Sequence, residues 1–207
     1  MANENDKRVD ALVIATRNSG KLVEFQKLFS GIPLSVGGLD EFDFNDDIEE
    51  TGNSFIENAD LKASGYAAAI GKWTLADDSG LEVAALGGRP GIFSARYGGL
   101  VSAAERNEML LNELNELNAA DRSARFVCAI SISDPSGRIL TRVEGFCSGN
   151  IAFESRGRNG FGYDPIFIPD DFDRTLGELS LEIKQKISHR AKASVIILRY
   201  LRDFIAG

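Results

Sequence analysis

An α/β class with a mixed central sheet is predicted by three observations. The run VDALVIAT breaks through a short polar turn into an amphipathic segment, a strand-turn-helix opening. Capped helical segments then alternate with apolar strand-like runs. A long hairpin over residues 124–148 adds antiparallel strands, since FVCAISI and ILTRVEGFC flank the turn Asp134-Pro135-Ser136-Gly137.

The elements follow in order. From Ser19, the residues Leu22, Phe25, Leu28 and Phe29 mark one face of a first helix. A polar acidic loop follows. Ser54 with Glu57 reads as a capping box opening a second helix, with Phe55, Ala59, Ala63, Tyr66 and Ile70 on one side. The strand WTLA is expected to end at Asp77 and Asp78, where the run breaks into a turn at Gly80. Ser102 with Glu105 repeats the capping box ahead of a helix to about Asn118. After the hairpin, the half-loop RGRNGFGYDP leads into a short strand, PIFIP. Thr175 with Glu178 offers a further capping box, and a last helix follows Ser188 with Ile196, Ile197, Tyr200 and Leu201 among its apolar residues.

Composition bounds the function. A chain of 207 residues with 43% hydrophobic and 26% charged residues fits one domain with a sizeable core. We place that domain at 9–207, after a variable or disordered extension at 1–8. The net charge of -8 disfavours a nucleic acid polymer, so any phosphate ligand is small and locally gripped. No apolar run approaches a membrane span and the N-terminus has neither a signal core nor an Arg-rich pattern, so the expected location is cytoplasmic, with no membrane partner. The hairpin sets Cys128 opposite about Val143, out of bridging range of Cys147, so both cysteines are expected to be reduced.

Six groups of residues carry chemistry. The adjacent carboxylates of Asp77 and Asp78 suit a hard cation and a polarised water. Thr16-Arg17-Asn18-Ser19-Gly20-Lys21 places small polar residues and a lysine at a helix N-terminus, where free N–H groups attract anions. It is not a Walker A loop, because Ala15 replaces the first glycine and Leu22 the magnesium-binding hydroxyl. Alone it also reads as an ordinary helix N-cap with a surface lysine. Glu49 and Glu50 lie in an acidic stretch that is either a solvated loop or the completion of a carboxylate set for magnesium. Lys62, two turns into the next helix, reads on its own as a snorkelling surface lysine. The glycine loop frames Phe161, Gly162, Tyr163 and Asp164; Phe161 is suited to stack on a purine, whereas Tyr163 reads better as core. Lys184, His189 and Arg190 close the set, with the lone histidine reading as structural on its own.

The segments TRNSGK, EETGNSFIENADLKA, ADDSGLEV, GGRPGIFSARY, GFGYDPIFIP and ISHR, in this order and at these intervals, resemble the inosine/xanthosine triphosphate pyrophosphatase family. The resemblance runs from about residue 10 to residue 204. It implies an elongated, two-lobed α/β domain with the active site in the cleft between lobes. It also implies a homodimer that hydrolyses non-standard purine nucleoside triphosphates (ITP, dITP, XTP) to monophosphate and pyrophosphate with Mg2+. By motif, Thr16 to Lys21 would hold the triphosphate, Glu49 or Glu50 with Asp78 the magnesium, and Asp78 would accept the proton. Lys62 and Asp77 would join the phosphate and metal shell, and Ser79 would touch the substrate. Phe161 to Asp164, Lys184, His189 and Arg190 would surround the base and sugar. Ser155, Leu181 and Ala191 stand where the family commonly has proline, proline and glycine, which leaves every charged group in place. The rival readings are a pyrophosphatase for other modified or standard nucleotides and a non-catalytic nucleotide sensor.

Overall fold

The computed structural model describes residues 9–44 and 46–206, so the expectation for residues 1–8 lies outside the described residues. The predicted class holds: a six-stranded mixed sheet with the order β2-β1-β3-β4-β5-β6 is flanked by five α-helices among the described residues. β1 (Ala11–Ile14) runs parallel to β2 (Ser35–Gly38) and to β3 (Thr74–Val83), with Val13 beside Thr74 and Ile14 beside Leu75. β4 (Ser123–Ser133) and β5 (Ile139–Ile151) form the predicted hairpin, and β6 (Phe167–Pro169) lies antiparallel to β5. The hairpin turn is closed by Asp134, whose carboxylate accepts from the N–H groups of Ser136 and Arg138, while Gly137 takes the positive φ of 85° that the turn requires.

The helices are α1 (Ser19–Leu28), α2 (Phe55–Ile70), α3 (Ala103–Glu116), α4 (Leu181–Ile187) and α5 (His189–Ala206). Their starts follow the capping chemistry. Asn18 Oδ1 accepts from the Lys21 N–H, Ser54 from that of Glu57, and Ser102 from that of Glu105, with a complete capping box at Ser102. At α2 the box is shifted by one residue: the Glu57 carboxylate reaches the N–H of Asn53.

Several expectations are corrected. β3 does not end at the aspartates but continues through Asp77, Asp78, Ser79 and Gly80 to Val83, because both carboxylates are buried with the strand and Gly80 keeps an extended backbone. The Thr175/Glu178 box forms, with the Glu178 carboxylate accepting from the Thr175 N–H, yet it closes a turn; the helix starts later, where Ser180 caps α4. That cap serves the position where a proline was noted as common. β2 was not anticipated, since SVGG has little strand propensity and is held by its pairing with β1. Ile196 is 49% exposed, so the core face of α5 is carried by Ile197 and Leu201.

Contacts divide the chain into two compact units, 1–77 with 129–143 and 193–207, and 78–128 with 144–192. The chain passes from one to the other inside β3, β4, β5 and α5. In the first unit Val13, Ala15, Leu39, Ala63, Tyr66 and Ala76 form a core edged by Phe42, Phe44 and Ile48. In the second, Leu81, Val83, Leu110, Leu114, Phe126, Ile166 and Phe167 do the same. No helix among the described residues is long and apolar enough to cross a membrane. Cys128 and Cys147 are both free and buried, and burial raises the Cys147 thiol to about 11.

Candidate active site

In the first unit the strand-to-helix turn after β1 works as an N-cap and more. Asn18 takes up the Lys21 N–H, and Thr16 Oγ1 accepts from the Asn18 N–H at 3.2 Å. Lys21 is not a surface lysine: its side chain is 16% exposed and its Nζ lies 2.8 Å from Asp77 Oδ2, whose side chain is fully buried. Lys62 departs from the snorkelling picture in the same way, at 12% exposure and 2.6 Å from Glu50 Oε1. Arg17 pairs with Asp47 and donates to the Asp46 carbonyl at 3.0 Å, tying the turn to the acidic segment. That hydrogen bond to Asp47 raises the Arg17 pKa. Glu49 is exposed. The role of Asp47 was not anticipated, because one acid in an acidic run carries no distinguishing signal.

In the second unit the chemistry gathers around the glycine loop. Asp164, nearly buried, accepts from the Phe161 N–H at 2.8 Å and from Lys184 Nζ at 2.6 Å. Gly160, at φ 73°, leaves the space that this carboxylate fills, since a Cβ there would meet Asp164 Oδ2 at 2.0 Å. Lys184 Nζ sits 4.5 Å from the centroid of the Phe161 ring and the Arg190 guanidinium 5.8 Å from it, so two cations face one half-buried aromatic.

Ser188 caps α5, its Oγ accepting from the Ala191 N–H, which puts His189 and Arg190 in the first turn. Arg190 is buried and donates to Ser79 Oγ at 3.3 Å. His189 stacks on Phe126, ring centroids 4.7 Å apart and planes 10° from parallel, a packing role that matches the structural reading. Tyr163 is core, as expected: its hydroxyl donates to the Ser94 carbonyl at 2.9 Å and burial raises its pKa. Asp78 is buried at the start of this unit.

Ser94 was missed, although it lies in the GGRPGIFSARY segment. Its Oγ accepts from the Leu81 N–H at 2.9 Å and donates to the Gly91 carbonyl at 2.7 Å, so it fixes β3 and the Tyr163 anchor together. Nearby, Tyr97 donates to Glu113 and is pushed up to about 12 by burial and by that carboxylate.

The donor chemistry fits a hard divalent cation: Asp77, Asp78, Glu49 and Glu50 offer only oxygens. Among the described residues no three His, Cys, Asp or Glu side chains cluster as a preformed cage. Magnesium in general binds through one or two carboxylates together with waters and substrate phosphates.

A family model described as the Ham1 family matches residues 12–200. The chain belongs to the Ham1 family. Its relatives match it along nearly their whole length. The dITP/XTP pyrophosphatase of Bacillus subtilis (strain 168) is 48% identical over 87% of this chain and 91% of its own. That of Staphylococcus aureus (strain MRSA252) is 48% identical over 92% of this chain and 95% of its own. A solved HAM1 protein from Coxiella burnetii superposes with a TM-score of 0.85 at 42% identity, covering 93% of this chain and 98% of its own. This Ham1-family chain therefore shares its fold with the solved HAM1 protein and nearly half of its aligned residues with the two pyrophosphatases.

Proposed function

We propose that the chain hydrolyses deaminated purine nucleoside triphosphates, ITP, dITP and XTP, to the monophosphate and pyrophosphate. The observation that carries the reading is the buried Lys21–Asp77 pair at the N-terminus of α1, directly followed in sequence by the buried Asp78. It joins a cation and helix N–H groups for phosphate to a carboxylate for water. The relatives' shared name supports the substrate class.

The water oxygen attacks the α-phosphorus, its proton passes to Asp78, and the α–β bridging oxygen leaves with pyrophosphate. Lys21 stabilises the charge that builds on the leaving group, with Thr16 to Gly20 orienting the phosphates. Lys62, drawn in by Glu50, adds positive charge to the phosphate shell. Asp78 with Glu49 or Glu50 would hold magnesium, which would supply further neutralisation of charge. Phe161 stacks on the base, supported by Lys184, and Asp164 holds the loop that presents it.

Selectivity follows from hydrogen bonding. Deamination replaces the 6-amino donor of adenine by a keto acceptor, so donors such as Arg190 and loop N–H groups accept ITP and meet a donor in ATP. His189 stacks on Phe126, and Ser79 Oγ accepts from the Arg190 guanidinium. The free buried cysteines agree with a reducing, cytoplasmic nucleotide pool, where the protein would act as a homodimer.

The test is pyrophosphate release from ITP, XTP, dITP, GTP, ATP and dTTP, with and without magnesium, with the monophosphate identified by chromatography. Magnesium-dependent release from ITP and XTP above the others is expected. Broad hydrolysis would make it a general nucleotide pyrophosphatase, and binding of ITP without release a sensor.

A further inference from the structure

Asn107 on α3 is 3% exposed, and its Nδ2 donates to the Gly162 carbonyl at 3.1 Å. Its Oδ1 is buried and accepts from no protein group among the described residues. A half-satisfied buried amide costs stability relative to an apolar side chain of the same shape, so its presence calls for a purpose other than packing.

The acceptor points to that purpose. Residues 161–164 form a tight turn in which Asp164 takes up the Phe161 N–H at 2.8 Å and donates its own N–H to the Phe161 carbonyl at 3.2 Å. The N–H groups of Gly162 and Tyr163, between them, donate to no protein acceptor among the described residues. Gly162 has φ 62°, a conformation in which glycine alone is at ease, and its peptide could rotate unless tethered. The Gly162–Tyr163 peptide is trans and planar, so a carbonyl drawn toward Asn107 sends the Tyr163 N–H the opposite way. The Tyr163 hydroxyl on Ser94 anchors the other side of the same turn.

We infer that Asn107 is a positioning residue for base recognition, which fixes the Gly162–Tyr163 peptide so that its N–H donates to the 6-keto oxygen of the purine. The inference rests on the proposed deaminated-purine substrate and adds a donor and its support to it. Adenine, with a 6-amino donor, gains nothing from the same N–H.

Asn107→Leu removes the donor at nearly constant shape, and Asn107→Asp replaces it by an acceptor. In both, KM for ITP should rise about threefold to tenfold, the worth of one hydrogen bond, with kcat little changed. ATP, which gains no hydrogen bond from that N–H, should lose less, so the ITP over ATP ratio falls. Amide exchange measured on the free protein should quicken for residues 161–164, while the thermal midpoint of Asn107→Leu stays within a few degrees. An active wild type whose variants keep the ratio and the exchange rates overturns the role of Asn107, as does a fall in midpoint alone. A wild type inert on ITP overturns the substrate reading itself, and keto recognition with it.

Discussion

Lys184→Met should be among the most destabilising single changes in the second unit. The Lys184 and Asp164 side chains are 4% and 3% exposed and meet at 2.6 Å. Removing the ammonium takes the counter-charge from a buried carboxylate that also accepts the Phe161 N–H, and breaking a buried pair in this way costs about 3–5 kcal/mol. Against a total stability of about 5–15 kcal/mol the loss is severe, and at about 2–4 °C per kcal/mol the midpoint falls by roughly 6–20 °C. Adding Asp164→Asn removes the orphaned charge while keeping an acceptor for Phe161. The double variant should therefore be more stable than Lys184→Met alone, with a coupling of about 2 kcal/mol or more in a double-mutant cycle. Thermal and urea unfolding followed by circular dichroism measure both quantities. A midpoint within 2 °C of wild type, or a double variant that merely adds the two single losses, would refute the reasoning. Because Lys184 also lies against the Phe161 ring, the folded fraction of the variant should show a raised KM for every nucleotide.

Three further outcomes are expected. Asp78→Asn keeps the size of a buried side chain and should remove nearly all pyrophosphate release while the protein stays folded; wild-type-like turnover would remove Asp78 from the chemistry. Arg190→Lys keeps the charge but not the planar fork that reaches Ser79, and should lower kcat/KM for ITP about tenfold or more; an unchanged value places recognition elsewhere. Burial pushes the Asp134 carboxyl up, but hydrogen bonds from Ser136 and Arg138 outweigh it and hold its pKa below the usual range. A depressed pKa means that the charge-dependent stability is present above about pH 4 and fades as pH falls through the folded value. The stability gap between wild type and Asp134→Asn should then hold from pH 7 to 5 and shrink below 4; a gap independent of pH contradicts it.

Caps and periodicity made most of the fold legible before any coordinates. Asn18, Ser54, Ser102 and Ser188 each sit where a helix begins, because their hydrogen bonds are local and depend on residues three or four apart. The failures involve partners distant in sequence. Gly80 reads as a turn residue, yet the strand continues past it, its flank secured by the Ser94 hydroxyl on Leu81. SVGG becomes a strand only through β1. In the site, residue types were readable and pairings were not. Nothing local tells Lys62 to choose Glu50, or Asn107 to reach Gly162 across 55 positions.

Those pairings constrain how a triphosphate can be bound. Lys21, Lys62 and Arg17 each rest on a carboxylate, so an arriving polyanion meets neutral pairs in a protein of net charge -8. Exchanging the carboxylate for phosphate would take the counter-charge from the buried Asp77, a loss of several kcal/mol that the new contact must exceed. On the proposed reading, a divalent cation bound with the substrate would remove the conflict by neutralising phosphate charge, and Lys21 could stay on Asp77. The paired lysines would then act as fixed dipoles beside the phosphates, and binding would depend on the metal–nucleotide complex more than on free cationic side chains. On the proposed reading, chelation should abolish nucleotide binding as well as turnover, with the unfolding midpoint of the free protein unchanged.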